Sequence, residues 1–374
     1  MTPTHPGAPA GHSGFSLRSL TQTRRRNLFS AFLKTGIDAL LVSSWPNVTY
    51  LSGFQGTESW ALVSPKDLFF ITDSRYSEQA KAEAKDFRII LRDKKSVAEI
   101  VTELCATIGS KSLGFEAAII THSFYLGLEK KLGVGRLAPT FGLVEKLREI
   151  KDSFEIQQIK MSADIAVKGF HYIRQIARPG LKERELQARL EHYTKSLGSD
   201  KPAFDIIIAA GKRSSMPHCQ TNDTLVRDND ILLVDMGVVY RGYHSDLTRP
   251  IFLGKMNALH KKIYQIVWDA QRAGIAKAGP GVPASVVDAA CRDFIRKKGH
   301  QKHFGHGTGH GVGLEIHEAP TVSARSQTVL KPGMVITVEP GVYLPGKFGV
   351  RIEDMVLITQ NGHEVLTRDL DKSV

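Results

Sequence analysis

The segments LVRDNDILLVDMGV (residues 225–238) and VLKPGMVITVEPGV (residues 329–342) align with each other without a gap. Each contains a turn, an apolar run, an acidic residue, one further residue and then Gly-Val, so that Asp235 corresponds to Glu339. A short apolar run bounded by turn residues is typical of a buried strand. The alignment therefore predicts an internal repeat in which two similar strands carry equivalent acids.

Each repeat continues into a predicted hairpin whose return strand carries a second acid. In the first hairpin, Asp235 and Asp246 are equidistant from a turn centred at Tyr240–Arg241. In the second, Glu339 and Glu353 are equidistant from the first glycine of LPGKFG. Residues opposite each other in an antiparallel pair share a face, with Cβ atoms about 4.5–5.5 Å apart. We therefore expect each hairpin to present two carboxylates side by side.

The segment FGHGTGHGVGLEIHEAP (residues 304–320) contains three histidines that are candidate metal ligands: His306, His310 and His317. His306 and His310 have the spacing of a zincin helix. The glycines between them disfavour a helix, however, by about 1 kcal/mol each. The segment is therefore not a zincin helix, and any further ligands must come from elsewhere in the chain.

Acids on apolar strands need a positive partner, because burying an unpaired charge is costly. One alternative is that the acids lie at strand ends facing water, where they pair with Arg241 or Arg351. The other alternative is a metal centre. Four carboxylates and one imidazole suit two divalent cations about 3.5–4 Å apart. This oxygen-rich ligand set favours Mn²⁺, with Co²⁺, Fe²⁺ or Zn²⁺ as alternatives.

The length of 374 residues predicts two domains, since one domain typically has about 100–200 residues. Between residues 35 and 118, β-rich runs alternate with helical ones, which indicates a small α/β domain. Helical periodicity then begins after a capping box formed by Asp152 and Glu155 and ends at Pro179-Gly180. Two more helices are predicted around 257–278 and 284–298, between stretches of strand.

We place the domain boundary near residues 145–152, and the second half is predicted to be α+β, with helices covering an antiparallel sheet. The predicted organisation is a disordered tail at 1–20, an α/β domain at 21–148 and an α+β domain at 149–374. The tail is predicted because its Pro-, Gly- and Ser-rich sequence contains too few apolar residues to build a core.

The net charge of +12 is spread along the chain, apart from the run at Arg24–Arg26 and a few lysine pairs. No recognisable nucleic-acid module accompanies it, so we predict a solvated basic surface and no nucleic-acid partner. Three scattered cysteines indicate a reducing compartment, and we predict a cytoplasmic location. No apolar run approaches the about 18 residues of a membrane span, so no membrane partner is expected.

Five segments together resemble the signature segments of the pita-bread metallopeptidases: FDIIIAAGKRSSMPH, LLVDMGVVYRGYHSDLTR, GHGTGHGVGLEIHE, ITVEPGVY and VRIED. That family includes Xaa-Pro aminopeptidase, prolidase and methionine aminopeptidase. The resemblance covers residues 150–370, and residues 35–140 resemble the amino-terminal domain of the Xaa-Pro aminopeptidase and prolidase branch. It implies a pita-bread catalytic domain whose two halves are related by a pseudo-twofold axis.

The resemblance also implies a ligand set for two divalent ions per chain. Asp235 would chelate one ion, and His310 and Glu339 would hold the other. Asp246 and Glu353 would bridge both ions.

Further roles follow from the same resemblance. His317, and His218 in MPHC, would donate hydrogen bonds to the carbonyl oxygen as negative charge develops there. Glu339 would also carry the proton to the leaving nitrogen. Apart from the resemblance, Arg351 lies two residues before Glu353 and hence on the same strand face, which predicts that it orients Glu353. His306 has no ligand role in the family pattern.

The implied function is hydrolysis of the amino-terminal Xaa-Pro bond by an Xaa-Pro aminopeptidase acting on peptides with proline in the second position. Xaa-Pro dipeptidase (prolidase) is the alternative. A non-catalytic binding protein on the same scaffold is a third reading, which the complete set of five ligands disfavours. The resemblance further implies a homodimer formed through the amino-terminal domain.

Overall fold

The computed structural model describes residues 17–368, which divide into two compact units between Leu143 and Val144. Residues 1–16, most of the predicted tail, lie outside the described residues. Residues 17–20 begin the first helix, so the prediction of a disordered tail is wrong for them. The helix has a reason to form, because Leu28 and Phe32 on one of its faces are buried.

The first unit is an α/β domain built on one mixed six-stranded sheet. Its helices are α1 (Leu17–Thr35), α2 (Trp45–Ser52), α3 (Ser77–Glu83), α4 (Val97–Ile108) and α5 (His122–Leu132). Its strands are β1 (Ala39–Val42), β2 (Ser59–Val63), β3 (Leu68–Thr72), β4 (Arg88–Leu91), β5 (Leu113–Glu116) and β6 (Leu137–Thr140). The strand order is β4-β3-β2-β1-β5-β6, in which β2 is antiparallel to both of its neighbours.

The basic run at the start of this unit is only partly the solvated surface predicted, because Arg26 alone of its three arginines is exposed. Arg24 and Arg25 are both buried in α1. The Arg25 guanidinium donates to Asp86 at 2.5 Å, and the Arg24 guanidinium lies over the ring of Tyr50, 4.4 Å from its centroid. Burial is tolerated because an ion pair and an aromatic face replace the lost hydration.

The second unit is α+β, and its paired strands are antiparallel. Its helices are α6 (Glu145–Arg148), α7 (Ser153–Ile176), α8 (Glu183–Ser196), α9 (Ala258–Ile275) and α10 (Ala284–Lys297). The strands of its first half are β7 (Lys201–Pro202), β8 (Ile207–Ala210), β9 (Ile231–Met236), β10 (Val238–Tyr240), β11 (Tyr243–His244) and β12 (Leu247–Phe252). The strands of its second half are β13 (Gly309–Gly311), β14 (Glu318–Val322), β15 (Val335–Val338), β16 (Gly341–Leu344), β17 (Phe348–Arg351), β18 (Asp354–Thr359) and β19 (Gly362–Val365).

The internal repeat is confirmed by equivalent hydrogen bonds in the two halves. The Gly180 N–H donates to the Val226 carbonyl at 2.9 Å, and the Gly281 N–H donates to the Leu330 carbonyl at 2.9 Å. Val226 and Leu330 occupy the same position of the alignment. In each half, the turn between the two helices is therefore hydrogen-bonded to the segment that precedes the acid-bearing strand.

The helices of each half pack on the sheet of that half. The predicted capping box at Asp152 and Glu155 is present, with both reciprocal hydrogen bonds, at the start of α7. Further along, a Cβ at Gly169 would lie 2.8 Å from side-chain atoms of both Met236 and Thr194, so α7 contacts β9 and α8 closely. Each fully buried Leu, Ile or Val in these layers contributes roughly 1.5–3 kcal/mol to the free energy of unfolding.

In the part of the chain that the structure describes, no helix has the length and apolar character needed to cross a membrane.

Candidate metal centre

The first acid pair lies on the hairpin from β9 to β12, in a register that differs from the prediction. Asp235 is opposite Thr248, not Asp246, because the turn lies one residue later, at Arg241-Gly242. Both turn residues have positive φ, 50° and 82°, as in the type I′ turns that match the twist of antiparallel strands. Because side chains alternate along a strand, Asp246 still lies on the same face as Asp235.

The second acid pair lies on the hairpin from β15 to β18, and its predicted register is confirmed. Val338 pairs with Asp354 on one side, and Gly341 pairs with Arg351 on the other. This shared register places Glu339 opposite Glu353, in the gap between the two ladders. Neither acid is part of a ladder, so the side chains of both can face the interior of the unit.

Glycines beside these acids let backbones approach one another closely. A Cβ at Gly237 would lie 1.9 Å from the Ser245 carbonyl oxygen, and one at Gly309 would lie 2.0 Å from the Thr337 carbonyl oxygen. No side chain fits at either distance, so the close approach requires glycine both at position 237, two residues after Asp235, and at position 309, directly before His310.

The two hairpins and the histidine segment meet at a cavity of about 350 Å³. Its lining includes every residue predicted for the site: His218, Asp235, Asp246, His310, His317, Glu339, Arg351 and Glu353. The His310 Nε2 atom is 3.5 Å from Asp246 Oδ2 and 3.4 Å from Glu339 Oε1. One ligand atom each of Asp246, His310 and Glu353 lie within 4.8 Å of one another, a group that could hold a metal ion.

The electrostatics of the cavity fit a bound cation. Burial, followed by repulsion from neighbouring carboxylates, raises the pKa of Asp246 and Glu353 well above the usual range of carboxyl groups. Burial also raises the pKa of Glu339 to about 7. The Glu353 Oε1 atom is buried and has no hydrogen-bond partner. Burial lowers the pKa of His310 to about 4, which favours the neutral imidazole that binds metals.

Arg351 contacts a different acid from the one predicted. Its Nη2 donates to Asp235 Oδ2 at 2.5 Å, and it reaches Glu353 only through the Thr248 hydroxyl. Thr248 Oγ1 accepts from Arg351 Nε at 3.1 Å and donates to Glu353 Oε2 at 2.6 Å. The alternative of water-facing acids is wrong, because only 13% of the Asp235 side chain and 4% of the Arg351 side chain are exposed, although the pairing of an acid with Arg351 that it included is present.

The histidines beyond the acid cluster also line the cavity. The rings of His310 and His317 have centroids 4.3 Å apart, at an interplanar angle of 60°. His218 lines the wall formed by the loop after β8. His306, which the pattern left without a ligand role, lines the cavity as well, and its Nε2 is 3.0 Å from the Tyr343 hydroxyl.

The sequence reasoning missed two polar residues, Thr248 and Tyr343. The Tyr343 hydroxyl accepts from Arg351 Nη1 at 2.7 Å, so the two residues complete a chain of hydrogen bonds behind the acids. A signal was present in the sequence, because Thr248 is two positions after the predicted ligand Asp246 and Tyr343 is four positions after the predicted ligand Glu339. Such spacing along extended chain places side chains on one face.

Two family models match the chain. Residues 157–360 match that of metallopeptidase family M24, and residues 24–150 match that of the Creatinase/Prolidase N-terminal domain. Most of the chain is similar to an uncharacterised peptidase, YqhT, of Bacillus subtilis. The two are 43% identical over 342 residues, which cover 91% of this chain and 96% of that protein.

Solved structures resemble the chain over nearly its full length. The Xaa-Pro dipeptidase from Bacillus anthracis has a TM-score of 0.91 and 40% identity, covering 94% of this chain and 98% of that one. The X-Pro aminopeptidase from Thermotoga maritima has a TM-score of 0.86 and 35% identity, covering 92% and 99%. The first name describes a dipeptidase and the second an aminopeptidase.

Proposed function

The chain belongs to metallopeptidase family M24 and is a hydrolase of the pita-bread fold, and we propose that within this family it is an Xaa-Pro aminopeptidase. It would remove the first residue from peptides with proline in the second position. Hydrolysis of Xaa-Pro bonds is supported by the convergence of buried acids and a neutral histidine on one cavity, in a chain that also has the Creatinase/Prolidase N-terminal domain, and the choice of an aminopeptidase is supported by the cations around that cavity.

We assign five residues as ligands of two divalent ions, for which we propose Mn²⁺: Asp235, Asp246, His310, Glu339 and Glu353. The unpartnered Glu353 Oε1 and the crowding of buried carboxylates support a cationic occupant. The oxygen-rich donor set supports a hard ion such as Mn²⁺. Such ions, when bound, supply a hydroxide nucleophile near neutral pH and polarise the scissile carbonyl.

The residues of the chain then have separate roles in the reaction. The Glu339 carboxylate accepts the proton of the attacking water and transfers it to the leaving proline nitrogen. His218 and His317 donate hydrogen bonds to the carbonyl oxygen as it gains negative charge. Arg351 holds the Asp235 carboxylate in place through its 2.5 Å hydrogen bond.

The cations around the cavity favour an aminopeptidase over a dipeptidase. A dipeptidase benefits from a cation that pairs with the carboxylate of the proline product. Of the basic residues Arg241, Lys347 and Arg351, which lie on the two acid-bearing hairpins, Arg241 and Lys347 are not among the residues lining the cavity. Arg351 does line it, and its guanidinium already donates to Asp235, Tyr343 and Thr248. A peptide that continues beyond proline has no carboxylate at this position and needs no such partner.

Prolidase activity is the second candidate, supported by the name of the similar Bacillus anthracis enzyme. The two candidates are separated by comparing an Xaa-Pro dipeptide with the matching Xaa-Pro-Yaa tripeptide, in Mn²⁺, Co²⁺ and Zn²⁺ in turn. We expect a higher kcat/KM for the tripeptide, since the dipeptide leaves its carboxylate unpaired. Faster cleavage of the dipeptide would identify a prolidase. Removal of methionine from Met-Ala-Ser, with no action on any Xaa-Pro bond, would contradict both.

We also propose that the protein is a cytoplasmic homodimer. The three cysteines are free and buried, which agrees with a reducing compartment. Sedimentation equilibrium at micromolar concentration is expected to give twice the mass of one chain, with and without metal. A single species with the mass of one chain would show that the dimer does not form.

A further inference from the structure

The segment that carries His317 is a closed loop. Its ends pair with each other, Gly311 opposite Glu318, where β13 meets β14. Inside the loop, the Gly313 N–H donates to the Glu315 carbonyl at 3.0 Å. From outside, the His244 N–H donates to the Gly313 carbonyl at 2.8 Å. The backbone that leads to His317 is therefore fixed at several points.

The carboxylate of Glu318 fills the centre of this loop. Its Oε1 accepts from the Glu315 N–H at 3.0 Å, and a Cβ at Gly313 would lie 2.6 Å from Oε2. A larger residue at position 313 would therefore displace the carboxylate from its place. The loop thus closes around a charged group that is 6% exposed, where an apolar side chain would be the usual filling.

Two buried cations hold this carboxylate. Arg148, at the end of α6, donates to Glu318 Oε1, and Lys151 Nζ lies 3.1 Å from Oε2. The side chains of Arg148 and Lys151 are 2% and 1% exposed. Burial alone would raise the pKa of Glu318, but Lys151 and Arg148 lower it to about 2, so the carboxylate is charged at neutral pH.

Stability alone is a poor reason for such a cluster, because replacing a buried ion pair by apolar residues is often neutral or stabilising. A better reason for the cluster is that it sets the direction of the neighbouring side chain. Glu318 points to the cations, whereas His317, the preceding residue, lines the cavity with its ring against that of His310. Neighbouring side chains at the start of a strand leave on opposite sides, so anchoring one sets the direction of the other.

We propose that Glu318, held by Arg148 and Lys151, is a positioning residue that fixes His317 in the cavity. The inference rests on the proposed function, in which His317 donates a hydrogen bond to the reacting carbonyl. Misplacing such a group by about 1 Å lowers turnover by up to about 10²-fold.

The test is a double-mutant cycle between Glu318→Gln and His317→Ala. Glu318→Gln removes the charge but keeps the shape of the side chain. With His317 present, we expect kcat to fall by about tenfold to a hundredfold, with KM nearly unchanged. With His317 replaced by alanine, the same change is expected to lower kcat by less than about threefold, because a residue that acts through His317 has nothing left to position.

Two controls separate positioning from loss of stability. Lys160→Met breaks an ion pair with Glu364 that is exposed on both sides, 43% and 37%, and is expected to leave kcat unchanged. Lys151→Met is the milder variant of the cluster, since Arg148 stays with Glu318, and it replaces Glu318→Gln in the cycle should that variant not fold. Metal content is measured for every variant.

A second readout does not depend on turnover. The imidazole ¹H–¹⁵N resonances of His317, assigned by their absence in His317→Ala, are expected to shift in metal-free Glu318→Gln and not in Lys160→Met. Equal losses of kcat in both backgrounds, or an unmoved His317 resonance, would overturn the positioning role while Xaa-Pro hydrolysis by the wild type stands. A shifted resonance in a protein without Xaa-Pro hydrolysis would support the positioning role and reject the proposed function.

Discussion

Asp246→Asn is expected to abolish hydrolysis of Xaa-Pro peptides while leaving the fold intact. Asp246 is one of the five proposed ligands, and a neutral amide would hold a divalent cation far less well than its carboxylate. We expect kcat/KM to fall by more than about 10³-fold, since loss of a mere hydrogen-bond partner of a ligand already costs about 10–100-fold.

In thermal unfolding, Asp246→Asn is expected to differ from wild type in a way that depends on whether metal is present. Without metal, the substitution removes a buried carboxyl that is crowded by Glu353, Asp235 and Glu339, so the metal-free variant is expected to be at least as stable as metal-free wild type. With metal, wild type gains about 2.7 kcal/mol at a hundred times the dissociation constant, and the variant gains much less.

The matched control for this experiment is Asp228→Asn, an exposed acid in the loop before β9. It is expected to keep both the activity and the stabilisation by metal. Near-normal turnover by Asp246→Asn with full metal content would show that the ligand assignment is wrong.

His317→Ala is expected to lower kcat by about 10²–10³-fold with little change in KM, because the histidine acts on charge that develops only in the transition state. Its metal content is expected to stay normal, since His317 is not among the assigned ligands. The measurement is steady-state kinetics on a Xaa-Pro-Yaa peptide, with His192→Ala on the exposed face of α8 as the control. An increase in KM alone would mean that His317 binds the substrate equally in the ground state and in the transition state.

The parts of the fold that were predictable are those whose signals are local or repeated. The capping box at Asp152 and Glu155 depends on a span of only four residues, and the structure contains it. The second hairpin has its register set by a turn at Gly346, which has a positive φ of 72° and is therefore favourable for glycine. The internal repeat added independent support for the two acid-bearing strands.

The first hairpin was misplaced for a physical reason. Its turn requires positive φ at Arg241, a conformation that residues other than glycine, asparagine and aspartate rarely adopt. No local rule would place an arginine there.

Contacts between residues that are distant in the sequence were equally unpredictable. Arg25 is buried against Asp86, and Arg351 pairs with Asp235. Each of these contacts exists only after the fold has brought its strands and helices together. The residues proposed as ligands were predicted from spacing and resemblance, whereas the hydrogen bonds that hold their side chains were not.

Neither copy of the internal repeat contains all five proposed ligands. The first copy contributes Asp235 and Asp246, and the second contributes His310, Glu339 and Glu353. The two copies are joined by residues 253–257 between β12 and α9. A short connection keeps such partners at an effective concentration on the order of millimolar, which separate chains would reach only at the same bulk concentration. Selection for hydrolysis is therefore also selection for keeping the two copies fused in one polypeptide.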